Sequence, residues 1–518
     1  MKMIDLGSVG REDLVESTDI CIVGAGAAGL YLAARLDRQG KTVALLEAGG
    51  RVCEDGDRLG MRPIFSADLY KGAKEGRAFG WGGSTSRWGG LLIPHTRFDL
   101  RGNEAGNEDA WPHVVSVVDT RANAVLRHLG LGHESDFEQL PKQAIPGVAT
   151  AMSKSGLTAL AGEFLPFGRR NLVYLVDKSS ERLRTYLHAA VCTWNVLAAA
   201  EGSTRIESIE ARSPSGGRVR VAAKQYVVAA GAIESARILL EVNEAGGGRV
   251  FPERARVGSF LSDHLSCRIA DVEPKDREQV AQAIGPRFAN GQMRSFRYVE
   301  ARPEASAPRS FAHFLFEIDN PAFRLAKETL FAIQSRRLPT IGVSDIVQGL
   351  GGLALFGFAR YGRARLYIPS GTPVHLQLDI EQTPRLENAV RLGNERDVFG
   401  RRVPIVRWSV SAQDDENIRT TAARILEKWP DPSSGLPALR PALGQGTDPK
   451  PHDAYHPVGT CRLGSDDEAV VETSLRTRGT INLWVLSTGL FPTAGTANPT
   501  FSMLCLGDAL ADTLIASH

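Results

Sequence analysis

The N-terminal part of the chain alternates short apolar runs with glycine-rich turns. A β-rich run from Asp19 to Val23 is typical of a buried strand, and the periodic apolar positions from Leu30 to Gln39 predict a helix that Gly40 closes. A further short run, Thr42 to Glu47, predicts a second strand. The three segments together predict a βαβ unit at the start of the fold.

Strand and helix patterns return further along the chain. Residues 191–210 and 216–231 alternate as strands, and a helix is predicted from Ile233 to Leu240. Near the C-terminus, a strand from Leu483 to Leu486 is followed by a loop and a helix from Pro499 to Leu514. These segments extend the α/β pattern of the N-terminal unit.

The region between these α/β segments has a different texture. Residues 270–450 contain more Arg and Pro and strand-like segments such as Val374 to Glu381, which indicates a second domain. Inside this region, Ile346 to Phe358 is apolar and Gly-rich, and Arg360, Arg363 and Arg365 follow it. The run is too short to span a bilayer, so a lid, an oligomer contact or plain core is favoured over a membrane anchor.

Composition narrows the class of protein. The 518 residues are 43% hydrophobic and 23% charged with a formal net charge of +2, which is ordinary for a globular protein and gives no electrostatic sign of nucleic-acid binding. The six cysteines are scattered without a Cys-x-x-Cys pair, so we expect free thiols in a reducing compartment, no zinc site and no other metal. The N-terminus is unlike a signal peptide, no stretch is long enough to cross a membrane, and the cytoplasm is the expected location.

The first motif with chemical meaning lies between the predicted first strand and helix. Gly24, Gly26 and Gly29 form Gly-x-Gly-x-x-Gly, in which the glycines turn the chain, admit a pyrophosphate and let helix and strand pack closely. Glu47 ends the next strand, where an acid binds ribose hydroxyls. The motif predicts a bound dinucleotide and argues against NADP, although Arg51 lies nearby; it does not separate NAD from FAD.

Five blocks spread along the chain resemble the glucose–methanol–choline (GMC) family of flavin oxidoreductases, in the family's order. They are Gly24 to Gly29 with Glu47 to Gly50; Gly82 to Gly90; Val227 to Leu240; Val257 to His264; and His456 to Gly464, followed by Asn482 to Val485 and Phe491 to Thr500. In the second domain, Glu381 to Leu392 is similar to the family's sheet over the flavin. The likeness is greatest to sugar- and glycoside-oxidising, pyranose-oxidase-like members.

The resemblance implies an α/β fold, α+β overall, with two domains. A Rossmann-like FAD-binding domain is expected from the discontinuous segments 1–115, 181–270 and 455–518. A substrate-binding domain is expected from 116–180 and 271–454, with a large, mostly antiparallel sheet and flanking helices.

The resemblance also implies the site residues. The catalytic pair is His456 and Asn498. The implied cofactor-binding residues are Gly24, Gly26, Ala27, Ala28, Gly29, Glu47, Ala48, Arg87, Trp88, Gly89, Gly90, Val191, Ala230, Gly231, Leu490, Asn498, Pro499 and Thr500.

The chemistry of alcohol oxidation gives the catalytic pair its roles. A hydride leaves more easily from an alkoxide, so a base with a pKa near the working pH is needed beside the hydroxyl, and the imidazole of His456 fits. Asn498 would hold the same hydroxyl, although it directly precedes Pro499 and could also be a helix N-cap. The helix that starts at Pro499 would direct its positive end towards the flavin.

Several residues depart from the family or could mislead. Some sugar-oxidising relatives carry a flavin-linked His directly before the Trp, but here that residue is Arg87, so non-covalent FAD is expected; Arg87 would contact a phosphate, the reduced ring or a surface acid. Ser487 and Thr488 replace an acid that many relatives have. Asp263 and His264 are interpreted as structural, and Cys461 as a packing residue.

The predicted function is FAD-dependent oxidation of an alcohol to a carbonyl, with proton abstraction by His456 and hydride transfer to flavin N5. The expected substrate is a hydroxyl of a sugar, a glycoside or a sugar-derived natural product such as an aminoglycoside. The expected electron acceptor is oxygen, a quinone or another acceptor. The alternatives are an NAD-dependent Rossmann dehydrogenase, a lyase of the same fold with redox-silent FAD, and a non-catalytic flavin-binding module.

Overall fold

Three β-sheets and flanking helices build the fold in the computed structural model, which describes residues 1–10, 13–100, 109–132, 134–304, 306–443 and 449–517. The strands are β1 (Lys2–Asp5), β2 (Asp13–Val23), β3 (Val43–Leu46), β4 (Ile64–Phe65), β5 (Leu91–Leu92), β6 (Leu157–Phe164), β7 (Leu183–Leu187), β8 (Ala190–Ala198), β9 (Thr204–Arg212), β10 (Arg218–Val228), β11 (His264–Val272), β12 (Arg287–Ala289), β13 (Gln292–Glu300), β14 (Ser310–Phe316), β15 (Val374–Glu381), β16 (Ala389–Arg396), β17 (Arg402–Arg407), β18 (Leu439–Pro441), β19 (His452–Asp453) and β20 (Leu483–Val485).

The helices surround these sheets. They are α1 (Ala27–Arg38), α2 (Lys71–Lys74), α3 (Ala110–His128), α4 (Leu140–Ala144), α5 (Pro146–Lys154), α6 (Gly231–Ala245), α7 (Arg277–Ile284), α8 (Pro321–Ser335), α9 (Val343–Arg363), α10 (Ala412–Glu427) and α11 (Thr500–Ala516). In the described part of the chain, no helix is long and apolar enough to cross a membrane.

The first sheet has the order β1-β7-β3-β2-β10-β9-β8, with β20 beside β10. Strands β1, β7, β3, β2, β10 and β20 are parallel to one another, whereas β9 and β8 pair antiparallel. All four residues of β3 are buried, as expected for a strand covered on both faces. The carboxyl ends of β2, β3 and β10 meet at one edge. The predicted βαβ unit is therefore confirmed, and its glycine motif lies at that edge.

Helix α1 packs closely on this sheet. It begins at Ala27, three residues before the predicted start, and nine of its residues are buried. A Cβ on Gly29 would lie 1.8 Å from the carbonyl oxygen of Gly24, so only glycine permits this contact between helix and strand.

The second sheet is antiparallel and carries the other wall of the site. Its order is β18-β11-β15-β14-β13-β6-β5, with β12 beside β13 and β19 beside β11. Strand β15 has the predicted bounds and is buried along its whole length. In the register, His264 pairs with Glu381 and Ser266 with Asp379. A parallel Rossmann-like sheet and an antiparallel sheet with helices confirm the predicted α/β fold.

We propose the two-domain division predicted from the sequence, although two strands cross its boundaries. Every strand of the first sheet falls within 1–115, 181–270 and 455–518. Strands β5 and β11 pair into the antiparallel sheet, although 91–92 and most of 264–272 fall in the segments expected for the FAD domain. These two strands carry the chain from one sheet to the other next to the site.

Candidate active site

A cavity opens at the carboxyl edge of the parallel sheet. Ten of the predicted cofactor-binding residues line it: Gly24, Gly26, Ala27, Ala28, Glu47, Ala48, Val191, Ala230, Gly231 and Thr500. They come from the ends of β2, β3 and β10 and from the first turns of α1, α6 and α11. Folding thus brings together residues from three distant parts of the chain around one cavity.

The backbone of this cavity fits a dinucleotide. Gly24 has a φ of +109°, the turn that the first glycine of the motif must make. A Cβ on Gly26 would point into open space, so the chain at this glycine leaves room beside the start of α1. Neither α1 nor α11 has a side-chain cap at its N-terminus, and first-turn residues of both helices line the cavity. Free N–H groups and two positive dipole ends therefore face the place where a phosphate and a flavin would lie.

Glu47 lines the cavity but is also part of its framework. Its carboxylate accepts N–H bonds from Ala25 (2.8 Å), Gly49 (3.0 Å) and Gly80 (2.8 Å). Burial raises the pKa of Glu47 to about 7, although these N–H groups oppose the shift. Because each carboxylate oxygen has more than one lone pair, Glu47 can accept a ribose hydroxyl while it holds the two glycine loops together.

The other predicted cofactor residues lie outside the lining of this cavity. They are Gly29, Arg87, Trp88, Gly89, Gly90, Leu490, Asn498 and Pro499. The indole N–H of Trp88 donates to the carbonyl of Arg170 at 2.6 Å. Arg87 forms an ion pair with Asp55, which is the surface-acid alternative considered for it.

A buried ionic cluster at the same cavity was missed by the sequence analysis. Glu234, on α6, pairs with Arg237 at 2.6 Å and with Arg77 and Arg401 at 3.4 Å each. Burial alone would raise the pKa of Glu234, but the three guanidinium groups lower it to about 2. Arg77 and Arg401 come from loops distant in sequence, so no local pattern could have indicated the cluster.

His456 and Asn498 meet between this cavity and a second one. The amide Nδ2 of Asn498 lies 2.9 Å from Nε2 of His456. Pro457 and Thr500, which lie close to them in the sequence, line the first cavity at the carboxyl edge of the parallel sheet. His456 and Asn498 themselves line the second cavity. The predicted catalytic pair is thus brought together from two loops at the boundary of the two cavities.

A third residue completes this group and was interpreted as structural from the sequence. His264, at the start of β11, places its Nδ1 3.1 Å from Nδ1 of His456 and its Nε2 2.9 Å from the carbonyl oxygen of Gly495. The sequence signal was its position in the block from Val257 to His264, but only the pairing of β11 with β15 and β19 brings it to His456.

The bonding partners determine which imidazole nitrogens carry protons. The Gly495 carbonyl can only accept, so Nε2 of His264 carries the proton and its Nδ1 is left as an acceptor. Nδ1 of His456 must then donate to it. The lone pair of His456 is therefore on Nε2, where the amide of Asn498 donates to it and where a substrate hydroxyl can approach.

Asp263 holds the backbone of both histidines. Its fully buried carboxylate accepts the backbone N–H of His264 at 2.7 Å and that of His456 at 3.0 Å, as well as the hydroxyl of Tyr70. Burial raises the pKa of Asp263 to about 8. The structural interpretation suits Asp263, because its contacts orient the backbone, not the cavity.

Both histidines are neutral at ordinary pH. Burial and the nearby His264 lower the pKa of His456 to about 3, and burial also lowers the pKa of His264. The sequence predicted a base with a pKa near the working pH. For the free protein this prediction was wrong. The low value keeps Nε2 of His456 unprotonated in the free protein, and it also makes the imidazole a weak base there.

The second cavity, of about 280 Å³, lies under the antiparallel sheet. Its walls are mostly aromatic and aliphatic, and they include Phe296, Phe311, Phe314 and Phe316. Its polar lining is Ser295, Arg297, His313, Asp379, His456 and Asn498. Asp379 accepts from Nε2 of His313 at 2.8 Å and from Ser266. Burial opposes ionisation of Asp379, but His313 lowers its pKa to about 2, so Asp379 is ionised. The guanidinium of Arg297, a cation, lines the same cavity.

Comparisons with known proteins agree with this geometry. Residues 384–507 match a family model described as GMC oxidoreductase, and residues 22–57 match one described as an NAD(P)-binding Rossmann-like domain. The first of these segments contains both His456 and Asn498.

Residues 384–507 are therefore similar to those of a GMC oxidoreductase.

Its relatives are distant. It is 24% identical to paromamine 6'-oxidase of Streptomyces fradiae, over 96% of this chain and 92% of the relative, and 24% identical to pyridoxine 4-oxidase of Microbacterium luteolum, over 93% and 96%. The crystal structure of pyridoxine 4-oxidase from Mesorbium loti covers 97% of this chain and 100% of its own with a TM-score of 0.57 at 18% identity, a likeness of fold.

The matched family and the relatives give the class of reaction. This GMC oxidoreductase is an FAD-dependent enzyme that oxidises a CH–OH group, and it needs an alcohol and an electron acceptor. The cavity with its turned glycine, open Gly26 and two uncapped helix N-termini suits the cofactor that the family implies.

Proposed function

We propose that this GMC oxidoreductase oxidises an alcohol to a carbonyl with His456 as the base that takes the hydroxyl proton. The observation that carries the proposal is the unprotonated Nε2 of His456, which faces the second cavity at 2.9 Å from the Asn498 amide. An alcohol that enters this cavity meets a proton acceptor and a hydrogen-bond donor at the same place.

Asn498 then orients the substrate. In the free protein its Nδ2 donates to His456; with a substrate present, the same N–H can turn to the substrate oxygen while Nε2 accepts the hydroxyl proton. Nδ1 of the resulting imidazolium still donates to His264, and the charged Asp379 nearby stabilises the positive charge. Such positioning contributes several kcal/mol when the reacting atoms are held within contact distance.

FAD, when bound, accepts the hydride from the alcohol carbon. The glycine turn at Gly24 and Gly26 and the start of α1 would hold its pyrophosphate, and Glu47 its ribose. The uncapped N-terminus of α11 would face the flavin and favour negative charge there. We propose that the remaining predicted cofactor residues also lie around the bound FAD. They are Arg87 to Gly90, Leu490 and Pro499.

We propose that FAD is held without a covalent bond. The residue directly before Trp88 is Arg87, whose guanidinium is paired with Asp55 and is not a nucleophile. Acid precipitation of the holoenzyme should leave a colourless pellet and a yellow supernatant. A pellet that stays yellow after washing would contradict the proposal.

The second cavity supports an amine-bearing, sugar-derived alcohol as the substrate. Aromatic rings can pack on the C–H face of a sugar ring, and the ionised Asp379 can bind a protonated amine. Among the relatives, paromamine 6'-oxidase and a 6'''-hydroxyparomomycin C oxidase, the latter 22% identical, favour an aminoglycoside. The likeness to pyranose-oxidase-like members stays a prediction, as do oxygen or a quinone as acceptor and the cytoplasm as location.

The test is an anaerobic absorbance titration of the purified enzyme with sugars, glycosides, aminoglycosides and simple alcohols. We expect the flavin to bleach with amine-bearing alcohols and to bleach about 10²–10⁴ times more slowly in His456→Ala. His452→Ala, an exposed histidine in the same segment, is the matched control and should react like the wild type.

Other outcomes would overturn the proposal in distinct ways. A protein that stays colourless with added FAD would favour the NAD-dependent dehydrogenase. A flavin that no alcohol bleaches would favour the lyase. Equal bleaching in His456→Ala and the wild type would remove His456 from the reaction. Reoxidation by air or by a quinone then identifies the class of electron acceptor.

A further inference from the structure

Helices α8 and α9 form a hairpin, residues 321–365, whose outer face is apolar and exposed. We call this face the hairpin surface. Its exposed side chains and their exposed fractions are Leu330 (39%), Ile333 (63%), Leu338 (89%), Ile346 (40%), Val347 (70%), Leu350 (59%), Leu355 (49%), Phe358 (60%) and Tyr361 (83%). On α9, positions 347, 350, 354, 358 and 361 follow helical spacing, so they form one continuous stripe.

The opposite face of α9 is already packed, so the stripe is not a poorly filled core. Cβ atoms on Gly349 and Gly352 would lie 2.8 Å from Leu325 and 2.6 Å from Ala322, which shows how closely α9 lies against α8. Phe356 stacks on Phe323 with ring centroids 6.1 Å apart. The apolar sequence from Ile346 to Phe358 therefore serves two faces, one buried and one exposed, and is neither plain core nor a membrane span.

The hairpin is also fixed to the body of the enzyme. The amide of Gln334, at the end of α8, donates to the carbonyls of Thr85 and Trp88 at 2.9 Å each. Asn171 donates to the carbonyl of Gln334 at 2.9 Å. The hairpin surface is thus presented on a well-anchored element next to the glycine-rich loop of residues 82–90.

Charge on this hairpin differs from charge on the rest of the chain. Residues 321–365 contain seven Lys and Arg but only two acids, whereas the whole chain has a formal net charge of +2. The remainder of the chain is therefore net negative. Three of the seven cations, Arg360, Arg363 and Arg365, lie at the end of the apolar stripe, whereas Arg324 pairs with Asp319 and Arg337 with Glu328. At the end of α9, Arg360 lies over the rings of Phe288 and Tyr361, and Arg363 over that of Phe358.

We propose that the hairpin surface docks on an anionic lipid surface, with α9 lying in the plane of the headgroups. An exposed apolar stripe with Phe and Tyr, edged by arginines, is the composition of interfacial helices. Aliphatic stems and rings enter the acyl boundary while guanidinium groups stay at the phosphates. The 21 residues of α9 would lie along the surface and would not cross it.

The charge also decides against a second copy of the chain as the occupant. Two hairpin surfaces brought together would each carry a net excess of five positive charges by sequence, and like charges across an interface oppose association. An anionic headgroup layer supplies the opposite sign.

The experiment is co-sedimentation of the holoenzyme with vesicles of phosphatidylcholine containing roughly one-third phosphatidylglycerol. Leu350→Glu/Phe358→Glu removes the apolar contact, and Arg360→Glu/Arg363→Glu reverses the charge. Val15→Glu/Leu197→Glu is the matched control, since both residues are exposed apolar positions on the parallel sheet, at 79% and 48%.

We expect the wild type and the control to sediment with these vesicles and both hairpin variants to bind at least about tenfold more weakly. Wild-type binding should fall about as much on pure phosphatidylcholine vesicles. Turnover with a soluble dye acceptor should be unchanged in all variants, which shows that the fold and the proposed reaction are intact.

Three results would overturn the proposal. The first is a wild type that stays in the supernatant. The second is a dimer in light scattering that Leu350→Glu/Phe358→Glu converts to monomer, because the surface would then bind a second copy. The third is vesicle binding that neither hairpin variant weakens. None of these results depends on whether the enzyme oxidises an alcohol.

Discussion

A backbone carbonyl sets the protonation of the imidazoles at the site. Gly495 accepts from His264, His264 accepts from His456, and Nε2 of His456 is left as an acceptor. This is the nitrogen that we propose takes the substrate proton. Residues that orient a reacting imidazole through its other nitrogen commonly change activity 10–100-fold when removed, as is known for metal-bound histidines. His264 is therefore a positioning residue in this scheme.

His264→Phe tests that role. We expect kcat to fall about 10–100-fold while KM changes little, because the substrate contacts remain and only the orientation and proton position of His456 are lost. Steady-state kinetics with an identified substrate, together with flavin content, measure this. His128→Phe, a half-buried histidine on α3, is the control. A raised KM at unchanged kcat, or loss of flavin, would show that His264 acts differently.

The lowered pKa of His456 predicts the pH dependence of the reaction. A base works only when unprotonated, and a pKa of about 3 keeps His456 unprotonated well below neutral pH. With an ordinary pKa of 6.5, only about 3% would be neutral at about pH 5. We expect kcat/KM to show no acid limb near pH 6.5 between about pH 8 and 5. An acid limb near pH 6.5 that persists with slow and fast substrates would contradict the burial of this imidazole.

At the scale of secondary-structure elements, two glycines at the start of α1 have different surroundings. Gly29 touches the Gly24 carbonyl, whereas Gly26 opens on the cavity. The same motif therefore contains one glycine that the fold requires and one that we propose the cofactor requires.

Substitution of the two glycines should have different results. Gly26→Leu should fold with an apoprotein melting temperature near that of the wild type but retain less than about a tenth of the flavin, because the side chain fills the cavity. Gly29→Ala should lower the melting temperature of the apoprotein, because its Cβ would lie 1.8 Å from the Gly24 oxygen. Gly147→Ala on α5, where a Cβ meets open space, is the control. Similar losses of stability in both variants would contradict the assignment of different roles to Gly26 and Gly29.

For the whole molecule, the cofactor cavity joins segments that are far apart in the sequence. Its lining includes residues near 24, 47, 191, 230 and 500. A ligand bound there stabilises all of these segments against unfolding together.

Free FAD should therefore stabilise the apoprotein as a whole. At about 100 times its dissociation constant, FAD should add about 2.7 kcal/mol to the free energy of unfolding, by mass action. Thermal scans of apoprotein with FAD, and with NAD⁺ as the control, measure it. We expect a single transition shifted upward by FAD alone. A shift with NAD⁺ and none with FAD would return the chain to the nicotinamide alternative.

Some elements of the fold could be predicted from the sequence and others could not. The βαβ unit followed from local periodicity and glycine spacing, because a strand, a turn and a helix each leave a short-range pattern. For the apolar run of α9 the sequence left a lid, an oligomer contact and plain core open, since an apolar run has the same composition whether it packs on one side or both. In the cluster of Glu234 with three arginines, only the pair with Arg237 is local in sequence; Arg77 and Arg401 left no local pattern.

The sequence by itself determined the dinucleotide motif and the α/β class, because these depend on residue identity and periodicity within short segments. The resemblance to the GMC family implied the pair His456 and Asn498, whose catalytic role stays a prediction. Only the tertiary structure decided that His264 lies against His456 and that Asp379 faces the second cavity. It also decided that burial lowers the pKa of His456 to about 3. These features depend on strand pairing and on solvent exclusion by distant segments, and no property of the local sequence specifies either.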